Sequence, residues 1–586
     1  MYIHLRGRVV VCHGYPIWRF TMNLLGRAGD PAFWSGEVRE KEHFAKFRQQ
    51  CLNYWEKQDL EHKRFGVLNY SDFKLFWTTG DRKIYEAQYF ERRTAMEHTV
   101  PLALIYPEEQ KYMDKVMDLV YLMCDEYTWC LPAHQGKLEE NYVSKLDLFA
   151  SETGFTLSLV YHLFGERLEP LIRNRILYEL DRRVKNEFLS VENYGWWEQG
   201  HSNWTAVCMG SVACTFMLMY PELVDEKLLA RFNKAMDGYL CGFKDDGVCL
   251  EGCGYWAYGM GFFVMYADIV RTFTNGRVDY FKIPKVKAIA TFPQKMFLSG
   301  AASVSFADGG RSLHYNMCLL HRLKAEYPDD VLIYSPDLGT YSNGCGRMQY
   351  MIFGAAWQSE EYYNNPADDT ACFEFHATDS QWYVKRTETY GFAAKAGCNA
   401  EMHNHNDVGS FIFAKGGKQL LMDVGSGTYT RQYFGPERYT ITECASFGHS
   451  VPLFGKNYQG AGAKFASTDV VYGDGSFSME MKGAYALSEL KSLKRSFTCY
   501  DTYVTMVDEI DYEGNEDVIE RIVSLIKPEI VDTGVAQIEN ATISYDASVC
   551  TAEVVEVEGY GIRRAPIYAI DFKLNPGVTR FEITIK

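Results

Sequence analysis

At 586 residues, with hydrophobic residues at 47% and charged ones at 23%, the chain is globular and too long for one ordinary core. Its net charge of −16 excludes nucleic acid as a partner, because such binding draws on counterion release by clustered Lys and Arg. No apolar run reaches the roughly 18 residues of a membrane span, and the opening MYIHLRGRVVVCHGYPIWRF has no signal-peptide core or cleavage site, so the cytoplasm is the default compartment, or the periplasm or exterior if a leader has been removed.

The 16 cysteines are scattered without a CxxC pair, which fits free thiols in a reducing compartment. Aromatic residues reach 15%, with 41 Tyr and 11 Trp. Such rings either fill a large core or stack on sugars while hydrogen-bonding their hydroxyls. The negative balance would repel an anionic polymer at long range, so lightly charged or short substrates are easier to reconcile with this chain.

From about residue 40 to 360 the rhythm is helical. KYMDKVMDLVYLMCDEY (111–127), ETGFTLSLVYHLFGERL (152–168), EPLIRNRILYELDRRVKNEFL (169–189), NWTAVCMGSVACTFMLMY (203–220) and LLARFNKAMDGYLCGF (228–243) repeat apolar residues at i, i+3, i+4 and i+7. Paired helices without a fixed repeat motif predict antiparallel hairpins set in a ring or partial ring. The segment 276–347, with FADGGRS and YSPDLGTYSNGCG, reads as loops and short helices. After about residue 370 the period becomes two, in ACFEFHA, SQWYVKRT, GSFIFAKG, KQLLMDVG, DVVYGDGSFSMEM, SLKRSFTCY, YVTMVDEI and RFEITIK, with turns such as KGGK between them. That is the pattern of an antiparallel β-sandwich. The expected fold class is multidomain α+β, with a helical domain over 1–360 and a sandwich over 361–586.

Three stretches could carry chemistry. In WWEQGHSNW (196–204), His201 and Asn203 open a helix beside three tryptophans. Ser202 or Asn203 can simply cap it, or the helix N-terminus can help form a sugar groove that favours an anion. In DDGVCLEGCGYWAYG (245–259), Tyr255 and Tyr258 share a helix face behind Gly247, Gly252 and Gly254, either as a buried aromatic stripe or as part of a site. In AEMHNHNDVGSF (400–411), His403 and His405 fall on one side if the segment is extended. His405, Asp423 and His449 could then hold a tetrahedral Zn²⁺, with Asp407 a competing ligand or a partner to a histidine, or these are hydrogen-bonded turn residues.

Together, Asn203–Trp204, the EGxxYWxYG segment from Glu251 to Gly259, the HNHxDxGSF segment from His403 to Phe411, the LxDxG turn from Leu421 to Gly425 and the GHS at Gly448–Ser450 resemble the heparinase II/III-like polysaccharide lyases and their alginate-lyase relatives. The resemblance runs over roughly residues 150 to 460. It implies an incomplete (α/α) toroid followed by an antiparallel β-sandwich. It also implies β-elimination at a uronic acid: the C5 proton leaves, the C4 glycosidic oxygen departs and a 4,5-unsaturated uronosyl end remains. Such a reaction needs a donor that neutralises the substrate carboxylate, a base at C5 and an acid at the leaving oxygen. By motif position Asn203 is the donor, with His201 or His403 assisting, and the two N-terminal roles are interchangeable. Tyr255 is the acid, with Tyr258 in reserve. Histidine titrates near neutrality, which makes His403 the easier base, although a tyrosine can serve both ends of a syn elimination. A structural zinc on His405, Asp423 and His449 would orient the loop presenting His403.

Substrate contacts are expected from Trp197, Trp204, Glu251, Arg386 and Arg438, with Arg311, Lys385 and Arg431 as further candidates. The uronate is of glycosaminoglycan type, such as heparan sulfate, hyaluronan or chondroitin, or of alginate type. Partners are this saccharide, with no nucleic acid, no membrane and a homodimer left open. Three other readings are weighed against this one. A toroid glycoside hydrolase would use Glu198 or Glu251 as acid and Asp245 or Asp246 as base. A non-catalytic uronate-binding protein would only grip the ligand. An iron oxygenase built on the HxH would leave the helical half without a purpose.

Overall fold

The computed structural model describes residues 2–5, 8–11 and 24–586, apart from 139–142, 313–316, 335–340, 343, 368–370 and 558–565. Much of the YSPDLGTYSNGCG stretch therefore lies outside the described residues. The first half is helical, from Ala45–Lys57 through Lys83–Ile105, Gln110–Asp125, Leu148–Phe164, Pro170–Leu180, Asn203–Met219, Glu226–Cys241 and Cys253–Phe273 to Met348–Trp357. Local chemistry sets the boundaries. Asp147 and Asp225 accept the backbone N–H groups of Ala150 and Leu228 as N-caps, and Gly165 ends the Leu148–Phe164 helix at φ +52°.

Successive helices pack antiparallel in the incomplete toroid that the periodicity predicts. Gln110–Asp125 and Glu226–Cys241 carry one apolar stripe each and polar outer faces. Asn203–Met219 is apolar all round, and nearly every residue of it is buried between Leu148–Phe164, Glu226–Cys241 and Cys253–Phe273. It is the innermost helix, and its N-terminus opens towards the second half of the chain.

That second half is antiparallel β. A five-stranded sheet runs in the order Lys418–Leu421, Phe411–Lys415, Gly391–Lys395, Trp382–Arg386, Phe373–Ala377. Alternation splits its side chains: Trp382, Val384, Ala393 and Ile412 join the helical core, while Tyr383, Phe392, Phe411 and Phe413 join the core of the sandwich. This sheet is thus the shared wall between toroid and sandwich. An eight-stranded sheet, with Leu490–Cys499 and Val504–Tyr512 at its centre, and a four-stranded sheet holding Val518–Ser524 and Tyr568–Leu574 complete the sandwich. Among the described residues no helix is long and apolar enough to cross a membrane, and the described cysteines are free thiols, most of them buried.

Candidate active site

Three loops meet where the helical half faces the sandwich, and each carries an acid followed closely by glycine: Glu251–Gly252, Asp308–Gly309 and Asp423–Gly425. The glycines are what permits the meeting. A Cβ on Gly252, at φ +97°, would lie 2.7 Å from the Gly309 Cα, and one on Gly425, at φ +67°, would lie 2.5 Å from the Gly309 oxygen. No side chain fits there.

The loops border a cleft of about 1310 Å³, lined from the helical side by Trp196, Asn203, Trp204, Tyr255 and Tyr258 and from the sandwich side by His403, Tyr429, Phe434 and Arg438. Tyr255 and His403, 148 positions apart in sequence, stack with ring centroids 4.4 Å apart.

Asp308 is the hub, and sequence reasoning missed it. Its Oδ2 accepts from His403 Nδ1 at 2.6 Å and from the Tyr429 hydroxyl at 2.9 Å, and its Oδ1 from His405 Nε2 at 3.1 Å and from the Tyr433 hydroxyl. Arg438 lies 3.5 Å away. Burial alone would raise the pKa of Asp308, but the two histidine hydrogen bonds outweigh it and hold the carboxyl well below the usual range, so it stays ionised. Tyr429 also meets the Tyr255 hydroxyl at 2.7 Å, which ties both aromatic partners of the cleft to one carboxylate.

His403 and His405 do not lie on a strand. They sit on the loop before Phe411–Lys415, and His403 has φ +56°, a left-handed conformation rare outside glycine and asparagine. The alternation argument therefore fails, yet both rings reach Asp308 because the loop wraps around it. With Nδ1 committed to Asp308, His403 presents Nε2 towards the cleft, 3.4 Å from Glu251 Oε2. Burial raises the pKa of Glu251, and the cationic form of His403 and the Asn203 backbone N–H act the other way. The side-chain amide of Asn203, on the first residue of its helix, forms no hydrogen bond among the described residues and faces the cleft.

The other predicted residues divide. Trp204 and Arg438 line the cleft. Arg438 donates to the carbonyl oxygens of His403, Asn404 and Tyr433 and so fixes the histidine loop. Tyr258 also borders the cleft, but its hydroxyl is given to Glu152 and its ring lies 3.8 Å below the Arg347 guanidinium. His201 is outside the cleft lining, with Nδ1 bonded to the Gly238 carbonyl at 2.8 Å. Trp197 is buried against Tyr194, and the neighbouring Trp196 faces the cleft instead, 63% exposed. Sequence cannot say which of two adjacent tryptophans turns outward. Arg386 is buried, bonded to the carbonyls of Ala371 and Phe297, and Lys385 pairs with Glu374 at 3.0 Å. Arg311 also lies outside the cleft lining, whereas Arg431 is part of it.

Below the hub, His405, Asp407, Asp423 and His449 are buried, with one ligand atom from each within 4.8 Å of the others. The donor set suits a metal. His405 spends Nε2 on Asp308, and His449 donates Nε2–H to the Glu443 carbonyl at 3.0 Å. Each histidine thus turns its Nδ1 inward, the usual arrangement around a bound ion. His405 Nδ1 and Asp407 Oδ2 have no hydrogen-bond partner among the described residues, as expected of atoms awaiting one. Asp407 also receives the Lys395 ammonium at 2.8 Å.

No protein-family model matches the sequence, and neither does any curated protein. Solved structures do match. Heparinase III aligns over 98% of this chain and 92% of its own with a TM-score of 0.62 at 13% identity. Heparan sulfate lyase HepC from Pedobacter heparinus aligns over 97% and 87%, with a TM-score of 0.55 at 12% identity. The Streptomyces coelicolor A3 chondroitin AC lyase, solved with chondroitin sulphate, aligns over 97% and 82%, with a TM-score of 0.57 at 10% identity. Over the 97–98% of its length that aligns, this chain has the toroid-and-sandwich fold of these solved lyases.

Proposed function

We propose that the protein is a polysaccharide lyase that cleaves uronate-containing poly- or oligosaccharides by β-elimination. The observation that carries this reading is the pairing of Tyr255 and His403 across the seam, with an uncommitted Asn203 amide in the same cleft. Asn203 grips the uronate carboxylate and stabilises the enolate-like charge that forms as C5 loses its proton. His403 Nε2 takes that proton, held in orientation by the bond from Nδ1 to ionised Asp308. Tyr255 protonates the departing C4 oxygen. Burial, partly countered by the Tyr429 hydrogen bond, raises its pKa and favours the protonated phenol an acid needs.

Zinc suits His405, Asp423 and His449, with Asp407 beside them, and when bound it would fix the loop that presents His403 without contacting substrate.

The hydrolase reading loses one candidate acid, Glu198, and both candidate bases, Asp245 and Asp246. Glu198 is locked to Arg231 at 2.7 Å, Asp246 accepts from Ser380, and Asp245 is an exposed partner of Lys285. Asp308, the carboxylate beside Glu251 in the cleft, is saturated by donors. The test is to incubate purified protein with a panel of polyuronates and follow the absorbance of the conjugated alkene. A rising signal that Tyr255→Phe abolishes supports elimination. Reducing ends without alkene would establish hydrolysis instead.

A further inference from the structure

His201 lies outside the cleft lining, and Glu251, a buried carboxylate beside Tyr255 and His403, takes no part in the elimination itself. A second cavity joins the two. It has a volume of about 30 Å³, sits behind the cleft wall and is lined by His201, Asn203, Tyr239, Glu251, Tyr255 and Met402 among others. That volume exceeds the roughly 10–15 Å³ that one water requires, and water stays in such a space only where polar groups meet it. Two of the lining residues hold buried polar atoms with no hydrogen-bond partner among the described residues, the Tyr239 hydroxyl and Glu251 Oε2. An unpartnered carboxylate oxygen in the interior is costly, and a water shared with Tyr239 removes that cost. A third lining residue, His201, reaches the surface. Its Nδ1 donates to the Gly238 carbonyl, so the neutral ring keeps Nε2 as a proton acceptor.

We propose that Glu251 is the proton relay of the site: it takes the C5 proton onward from the base, and water in the cavity carries it to His201 and the solvent. This rests on the lyase reading and adds an outlet to it. Each turnover leaves one proton on the base and removes one from the acid phenol, so the base must shed its proton before it can act again. Glu251 Oε2 lies 3.4 Å from His403 Nε2, and Glu251 borders both the cleft and the cavity behind it. The proton can therefore leave from the protein side while product still covers the cleft. The transfer balances: the Nε2–H bond breaks as an Oε2–H bond forms, and the carboxyl then gives that proton to water, which passes one to the surface. Burial raises the Glu251 pKa, which narrows the gap to a histidine, while the Asn203 backbone N–H holds the carboxylate in place.

The experiment follows alkene formation by the full-length protein on whichever polyuronate it cleaves. Glu251→Gln keeps the shape of the side chain and removes its capacity to take a proton. In dilute buffer it should lower kcat by at least about tenfold with KM and the thermal midpoint held. Added imidazole should restore kcat, because a small diffusible base collects the proton instead, and the wild-type rate should not respond. His201→Ala, at the exposed end of the path, should show a smaller loss with the same imidazole dependence. An unchanged kcat in Glu251→Gln, or a loss that imidazole does not repair, overturns the relay and leaves the lyase reading intact. Should Glu251→Gln fail to fold, full kcat of His201→Ala in dilute buffer overturns the outlet. No alkene from wild-type protein on any polyuronate overturns the lyase reading and the relay with it.

Discussion

At the scale of the residue, a single carboxylate organises the site. Asp308 presents one oxygen to His403 and Tyr429 and the other to His405 and Tyr433, so the proposed base, the partner of the proposed acid and the buried His/Asp cluster share one anchor. Asp308→Asn keeps the shape and removes the anion. Its expected signature is kcat lowered by roughly two orders of magnitude, the usual contribution of a positioned proton-transfer group, with KM little changed in steady-state kinetics. A loss confined to KM would place Asp308 in substrate binding. Glu97, on Lys83–Ile105, is a different case. It is fully buried, accepts a hydrogen bond from Ser342 at 3.1 Å, and its Oε1 has no partner among the described residues. Burial lifts its pKa from the ordinary 4.5 to about 8, so the fold holds this proton more tightly than the unfolded chain does. Its contribution to stability is therefore full below about pH 4.5 and is lost as pH rises through about 8. Glu97→Gln should flatten the fall of the thermal midpoint across that window, and an unchanged slope would show that the carboxyl titrates normally.

At the scale of the element, the acid–glycine loops do what helices and strands cannot: they bring Glu251, Asp308 and Asp423 together. Gly252→Ala forces a Cβ to within 2.7 Å of the Gly309 backbone and strains a residue at φ +97°. It should cost about 1–3 kcal/mol of stability and, because Glu251 and Tyr255 move with the loop, lower activity further than the loss of folded protein explains. Urea denaturation beside specific activity of the folded fraction checks this. The elements also show where reading by pattern stops. The helix at Asn203 and the strand at Phe411–Lys415 were legible, since an apolar run after a capping residue and an alternating run after glycine are local signals. The His403 loop was not. Its HxH spacing resembles alternation, but the wrap around Asp308 is dictated by a residue 95 positions away.

At the scale of the molecule, the five-stranded sheet serves both cores, so the cleft wall is braced from two sides. The buried His/Asp cluster lies in that brace. Removing a bound ion with a chelator, or making His405→Ala, should lower the thermal midpoint and the metal content found by elemental analysis. If neither preparation carries metal and chelation leaves the midpoint unmoved, the cluster is held by hydrogen bonds alone.

Much of this protein was determined by its sequence alone. The change of period near residue 370 separates helical from β structure, because burial of one face imposes 3.6 on a helix and two on a strand. Glu251, Tyr255 and His403 stood out through dense local motifs, and Arg438 only as a charge that could contact substrate. Only the tertiary structure decided which of them work together. It selected Trp196 over Trp197, buried Arg386, committed the Tyr258 hydroxyl to Glu152, and revealed Asp308, Tyr429 and Tyr433 as a unit. The physical reason is that an isolated aspartate in FADGGR looks like any turn residue. Its charge gains meaning only from donors that lie 95 to 125 positions further along the chain and reach it when the two cores close.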